Sequence, residues 1–343
     1  SDEVVIANDA DHVLSAPELI LAARDTVKLE EGAVVAGAGE FSGEAKAIHV
    51  ADASGNGDGA LLRVSTGDQV ALTRDPASLT GGVLDVAAGA TVRAGKSAIL
   101  DATLDNRTLG QVELPESGGA LTLGATRISL AENGTVVDTG GLVFDQDRLA
   151  DLGKPAELIL RSYSTLDVYG NVNLGGPDLE SLAIEAAGIA GHGAAGNTAT
   201  LQAGTVRFAN PDGIDAATAF AGATGAGDLT VLARDVELGT GDFTLRGFDT
   251  ASVTATGQVL GRGGSLKIES GGGAAGDLSL NAGRITVAAG ADQTIQAAGN
   301  LETGLSGTPS NTAAAALGGK LELIGATVTH GGRIDMPAGI VEL

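Results

Sequence analysis

Cysteine is absent from all 343 positions, and so is tryptophan. The first absence excludes disulfides, thiolate nucleophiles and thiolate-based structural zinc sites. It leaves the compartment open, because some exported proteins avoid cysteine as firmly as cytosolic ones keep it reduced. The second, with aromatic residues at only 2%, excludes a conventional aromatic core, so a core has to be built from Ala, Val, Ile and Leu. Basic residues are scarce too: 20 Lys and Arg stand against 43 Asp and Glu. Such a chain is soluble and repels phosphate backbones and anionic membranes, so no nucleic-acid partner is expected. No apolar run approaches the roughly 18 residues of a membrane span. The acidic start Ser1-Asp2-Glu3 lacks the basic and apolar regions of a signal peptide, so a cytosolic chain or a processed or excised segment is expected.

What the chain does contain is a repeat. The segment Leu278-Ser279-Leu280-Asn281-Ala282-Gly283-Arg284-Ile285-Thr286-Val287 can be laid without gaps on residues 121–130, 199–208, 229–238 and 321–330. Internal periodicity decides architecture before any motif does, and a periodic chain can form one elongated domain of any length. Hydrophobic residues at 43% argue against disorder despite 54 glycines.

Alternation places Leu278, Leu280 and Ala282 on one face of a strand and Ser279 and Asn281 on the other. The next apolar residue is Ile285, so the parity slips, as expected where the chain turns a corner through Gly283-Arg284 and starts a new strand. The same slip follows Ala125, Ala203 and Ala233, and in each copy the inward residue before the corner is small. Short strands, frequent corners and no long amphipathic helix predict an all-β fold, a parallel β-helix (solenoid) of three short strands per coil. Each coil takes about 20 to 25 residues and coils stack ~4.8 Å apart. An antiparallel sandwich would need hairpin signals, and only Asn133-Gly134, Asp212-Gly213 and Asp58-Gly59 are available. Residues 1–343 are expected to form a single elongated domain, with loop insertions at about 138–157, 188–197, 210–227 and 298–319. The first of these has a short helical turn closed by Gly153 and Pro155.

The run Leu158-Ile159-Leu160-Arg161-Ser162-Tyr163-Ser164-Thr165-Leu166-Asp167-Val168-Tyr169-Gly170, the run Gly57-Asp58-Gly59-Ala60-Leu61-Leu62-Arg63-Val64-Ser65 and the Leu-x-Leu-x-Ala-x-Arg-Ile-x-Leu pattern resemble the large bacterial exoproteins of the filamentous-haemagglutinin type. The resemblance covers most of the chain as a pattern. It implies a right-handed parallel β-helix, two-partner secretion through an outer-membrane pore, and a role in adhesion or biofilm at the cell surface or outside the cell. Lack of cysteine agrees with passage of an unfolded chain through a narrow pore. No secretion domain is recognisable in the sequence, which on this reading makes the chain an internal or C-terminal segment of a longer polypeptide. Its expected partners are other segments of that polypeptide, further copies of itself, and a host or bacterial surface or matrix. The resemblance supplies no catalytic residue and no cofactor.

Chemistry-bearing clusters are few. Asp52-Ala53-Ser54-Gly55-Asn56-Gly57-Asp58 offers oxygens at Asp52, Asn56 and Asp58 with calcium-loop spacing, but Arg63 stands where a closing carboxylate belongs. A polar turn between coils competes with a calcium site there. Asn8-Asp9-Ala10-Asp11-His12 has no matching second cluster, and His12, His49, His192 and His330 are scattered. Tyr163 and Tyr169 are expected to fill a core or cover a face. An enzymatic alternative, a polysaccharide lyase or glycosidase, requires paired carboxylates and usually aromatic platforms. Its nearest cluster is Asp145-x-Asp147-Arg148. A phage fibre would also suit a rod. The reading favoured on sequence is a non-enzymatic structural or adhesive one.

Overall fold

The computed structural model describes residues 1–44, 46–116, 118–150, 152–220, 222, 225–308 and 317–343. Strands take 54% of the chain and helices 2%, arranged in long parallel sheets, which agrees with the all-β expectation and is compatible with a solenoid. Where one elongated body was expected, the contacts divide the chain into two compact units. The first comprises residues 1–129 and 136–163, the second residues 130–135 and 164–343.

In the first unit the chain visits three sheets in turn. Glu3–Ile6, Thr26–Leu29, Val83–Val86 and Asp105–Thr108 pair in parallel in one. Leu14–Ala16, Val34–Gly37, Thr91–Arg93 and Gln111–Glu113 form the second. Glu18–Ala23, Ala60–Ser65, Ser97–Ala102, Ala120–Ala125 and Glu157–Ser162 form the third. Glu3 stands opposite Thr26 and Asp105 opposite Val83, so a coil takes the expected length of about 20 to 25 residues. The alternation has the consequence it should: Leu21, Leu62, Leu100, Leu123 and Leu160 make one file in register. Burial of each such leucine contributes roughly 1.5 to 3 kcal/mol.

One strand departs from the expected all-parallel stack. Ala60–Ser65 runs antiparallel to both neighbours, entering its sheet from the end opposite to theirs. The strand Ile48–Val50 and residues 66–82 lie over the outer face of the third sheet. There Leu61 and Ile99 pack with Val70, Leu72, Ile48 and Val50. Ala60–Ser65 and Ser97–Ala102 are therefore buried on both faces, the condition under which a strand becomes a continuous run rather than an alternation.

The second unit has two principal parallel stacks. Leu166–Tyr169, Gly188–Gly191, Asp242–Arg246, Gly264–Glu269, Asp292–Ala297, Lys320–Ile324 and Ile340–Glu342 form one. Ser181–Glu185, Thr198–Ala209, Gly227–Leu238, Phe248–Gly261, Asp277–Val287, Asn300–Leu305 and Thr327–His330 form the other. Here the corner expected at Gly283-Arg284 is corrected: Asp277–Val287 is one unbroken strand. The parity slip is real, since Ala203 and Val206 are buried while Gly204 and Thr205 between them are half-exposed. It is absorbed as a bulge in the ladder, with register shifts beside Ala233 and Ala255. Ala203, Ala233, Ala255 and Ala282 stand in one file at this bend, as the small-residue rule required. The three-strand coil of the first unit thus becomes, in this stack, a long bent strand followed by a short one.

Three of the expected loops need correction. In 188–197, Gly188–Gly191 is a strand paired on both sides. Its composition concealed it: a Cβ at Gly188 would overlap the carbonyl oxygen of Thr244, so close backbone approach demands glycine inside this strand. In 298–319, Asn300–Leu305 is a strand, and residues 309–316 lie outside the described residues. In 210–227, Asp215 caps the helix Ala216–Ala219, and Ala219 and Phe220 pack on Ala187 and Ala190. Residues 221, 223 and 224 of that insertion lie outside the described residues. Insertion 138–157 has its expected helical turn, Gln146–Ala150, preceded by the strand Leu142–Asp145; residue 151 lies outside the described residues.

Candidate functional site

The oxygens of the expected calcium loop accept hydrogen bonds from the protein itself. Asp52 Oδ1 accepts the Ser54 N–H at 2.7 Å, the Ser54 hydroxyl at 2.6 Å and the Asn56 N–H at 3.0 Å. Asn56 Oδ1 accepts the Asp58 N–H at 3.0 Å, and the Asp58 carboxylate accepts the Ser78 hydroxyl and the Leu79 N–H, both at 2.9 Å. Asp52 and Asn56 thus cap their own turn, while Asp58 ties it to the segment at Ser78 and Leu79. The donors around Asp52, the Ser54 hydroxyl first, hold its carboxyl below the usual value. Among the described residues no three His, Asp or Glu side chains come together as a metal site would require. Arg63 is fully buried, donating to Glu18 Oε1 at 2.8 Å and to the Ser97 hydroxyl at 2.9 Å. At the other end of this unit's sequence, Asn8 pins Val34 through both backbone groups at 2.8 and 2.9 Å. The acidic cluster named for a lyase is likewise occupied, since Asp145 accepts the Arg148 N–H at 2.9 Å and caps its helix.

Two polar centres escaped the sequence reading. In the first unit, Arg74 lies against Asp101 and donates to the Tyr163 hydroxyl at 2.8 Å and to the Gly57 carbonyl at 2.8 Å. The Tyr163 hydroxyl also contacts both Asp101 oxygens, at 2.9 and 3.0 Å. Burial and then the Asp101 charge push the Tyr163 phenol far above its ordinary value. This centre is sealed, with the Asp101 side chain fully buried and Arg74 at 3% exposure, so it anchors the overlying insertion rather than meeting a ligand.

In the second unit, His192 Nε2 lies 3.0 Å from the buried Asp167 Oδ2, and the Tyr169 ring stacks on the imidazole with centroids 4.3 Å apart. Thr165 donates to the other Asp167 oxygen at 2.6 Å. The signal was present as coil length: Val168 pairs with Gly191, so Tyr169 and His192 follow as the next partners. His12, His49 and His330 each have their own local partner, Asp9, Asp75 and Thr303 respectively.

The most extensive candidate is the outward face of the bent strands in the second unit. Thr200, Thr230, Ser252, Ser279, Glu302 and Thr329 stand side by side on successive strands. Parallel to them run Thr198, Asp228, Thr250 and Asp277 on one side, and Gln202, Leu232, Thr254 and Asn281 on the other. The face is polar, half-exposed over most of its length, and has no Lys or Arg in these rows. Among the described residues no hydrogen-bond partner occupies the hydroxyls of Thr200, Thr230 or Ser252. At the bend, Gln202, Leu232, Arg234, Thr254 and Thr256 line a shallow depression of about 270 Å³. Alternation had assigned Ser279 and Asn281 outward; only the register turns isolated polar residues into rows. No family model, curated protein or solved structure gives a significant match to this chain.

Proposed function

We propose that this chain is a module of a secreted bacterial surface exoprotein, a right-handed parallel β-helix with a structural or adhesive role. The observation that supports this best is the repetition of one polar face over successive strands of the second unit. A surface that repeats the same small donors and acceptors at strand spacing suits contact with an extended partner, because many weak contacts add through effective concentration. The lack of cysteine and the parallel ladders suit export through an outer-membrane pore followed by folding outside the cell.

The test is adhesion. Purified chain immobilised on beads is expected to retain bacterial cells or their extracellular matrix. It should lose that retention when Thr230, Ser252 and Ser279 are together replaced by bulky lysines. Equal retention by beads bearing the variant, or none by the parent, would remove the adhesive role. The parent gene is expected to continue into a secretion domain beside a gene for an outer-membrane pore.

A further inference from the structure

We propose that the outward face of the bent strands binds a linear amino-sugar polysaccharide, protonated amines lying at Asp228 and Asp277 and hydroxyls along the Thr230, Ser252 and Ser279 row. The inference deepens the adhesive reading by naming a ligand class, and it takes its extracellular setting from that reading.

Three features of the face point to this class. Its chemistry recurs at the strand spacing of ~4.8 Å, so an extended polymer of hydroxyl-bearing units meets the same groups coil after coil. Its charge within these rows is of one sign: Asp228 and Asp277 stand in the same row with Thr250 between them, and Arg234, at the edge of the depression, is paired with Asp235 at 2.8 Å. A polyanion is therefore repelled, by the face and by the chain's net charge of -23. Finally, the row beside the hydroxyls places Leu232 between Gln202 and Thr254, in the depression at the bend. An aliphatic seat flanked by amide and hydroxyl suits the apolar face of a sugar ring with polar groups at its edge. A nucleic acid or uronic-acid polymer lacks the matching charge, and a neutral polysaccharide brings no counter-charge to the two carboxylates. Each exposed ammonium–carboxylate pair is weak, so affinity comes from repetition and falls with salt.

The experiment measures binding of the full chain to a soluble chitosan oligosaccharide, against cellulose and alginate oligosaccharides of similar length. Chitosan is expected to bind at least about tenfold more tightly than either, through many weak pairs of the exposed kind, and to weaken with added salt. Asp228→Asn with Asp277→Asn should lower its affinity by about tenfold. Because Asp277 also accepts the Asn300 N–H at 2.6 Å, Asp228→Asn alone is included as a variant that leaves this cap intact, and it should give part of the loss. Thr230→Val with Ser252→Ala and Ser279→Ala changes no charge and should also lower affinity by about tenfold. The pair Glu3→Gln and Asp11→Asn, in the first unit, removes the same charge and should change nothing.

Equal weakening by that remote pair would mean attraction to net charge, and would overturn the proposal. So would a hydroxyl variant that binds as the parent does, or tighter binding of cellulose or alginate oligosaccharides. Cells or matrix retained by a chain that ignores chitosan would sink this inference and leave the adhesive role standing. A chain that binds chitosan as described but retains neither cells nor matrix would do the reverse.

Discussion

Asp101 follows Leu100 and precedes Ala102, so alternation assigns it to the outward face of its strand, a face that commonly meets solvent. The assignment of face is correct, but residues 66–82 lie over that face and bury it. No local pattern announces a distant segment, which is why Arg74, Asp101 and Tyr163 were invisible as a set. Their energetics follow from burial. Removing one partner of a buried ion pair strands the other charge, so Arg74→Met is expected to cost about 3 to 5 kcal/mol of unfolding free energy. Replacing both, Arg74→Met with Asp101→Leu, should cost much less than the sum of the single changes. Urea denaturation of the four proteins in the cycle checks this. Asp52 provides a pH prediction at the same scale. Its folded carboxyl lies below the usual 3.8, so its turn is supported above that value and loses support as pH falls through the lowered one. Amide exchange at Ser54 and Asn56 should therefore accelerate, relative to the intrinsic rate, only on acidification below the ordinary carboxylate range.

At the scale of elements, the strands announced themselves wherever a bulky residue alternated with a polar one. The files Leu21 to Leu160 and Ala203 to Ala282 are the direct result. The misjudged elements are those whose physics is set by a neighbour. Gly188 lies so close to Thr244, and Gly191 to Gly247, that a side chain is excluded at both ends of Gly188–Gly191, and the glycines and alanines of 188–197 resembled a spacer. The corner at Gly283-Arg284 was placed correctly as a parity slip and wrongly as a break, because sequence reports which side chains face inward but not whether backbone pairing continues. The bend predicts its own sensitivities. Ala255 is fully buried in the alanine file, so Ala255→Leu should overpack it and cost about 1 to 3 kcal/mol. Leu280→Ala, in the adjacent file of large residues, should cost about 2 to 5 kcal/mol through the cavity it leaves. Thermal unfolding of the two variants distinguishes a bend filled by small residues from a uniformly tolerant core.

The molecule as a whole joins a large acidic excess to parallel sheets with open edges, and the two have opposing effects on association. Among the described residues, Glu3–Ile6 pairs only with Thr26–Leu29, and Ile340–Glu342 only with Lys320–Ile324. Ile340 is 58% exposed and Val341 40%, so this last edge presents both free backbone groups and apolar side chains, the features that recruit another strand. A net charge of -23 opposes such recruitment at neutral pH. That repulsion vanishes near the isoelectric point of about 4.3, while backbone edges do not titrate. Light scattering across pH is therefore expected to show self-association rising steeply as pH approaches that value. If the edge directs association, Val341→Lys should reduce scattering at a matched distance from the variant's own isoelectric point, because a lysine on an edge strand must be desolvated for a second chain to pair. The same substitution at exposed Val136, which belongs to no strand, should leave scattering unchanged under the same correction. Equal reduction by the two lysines would assign the association to charge alone.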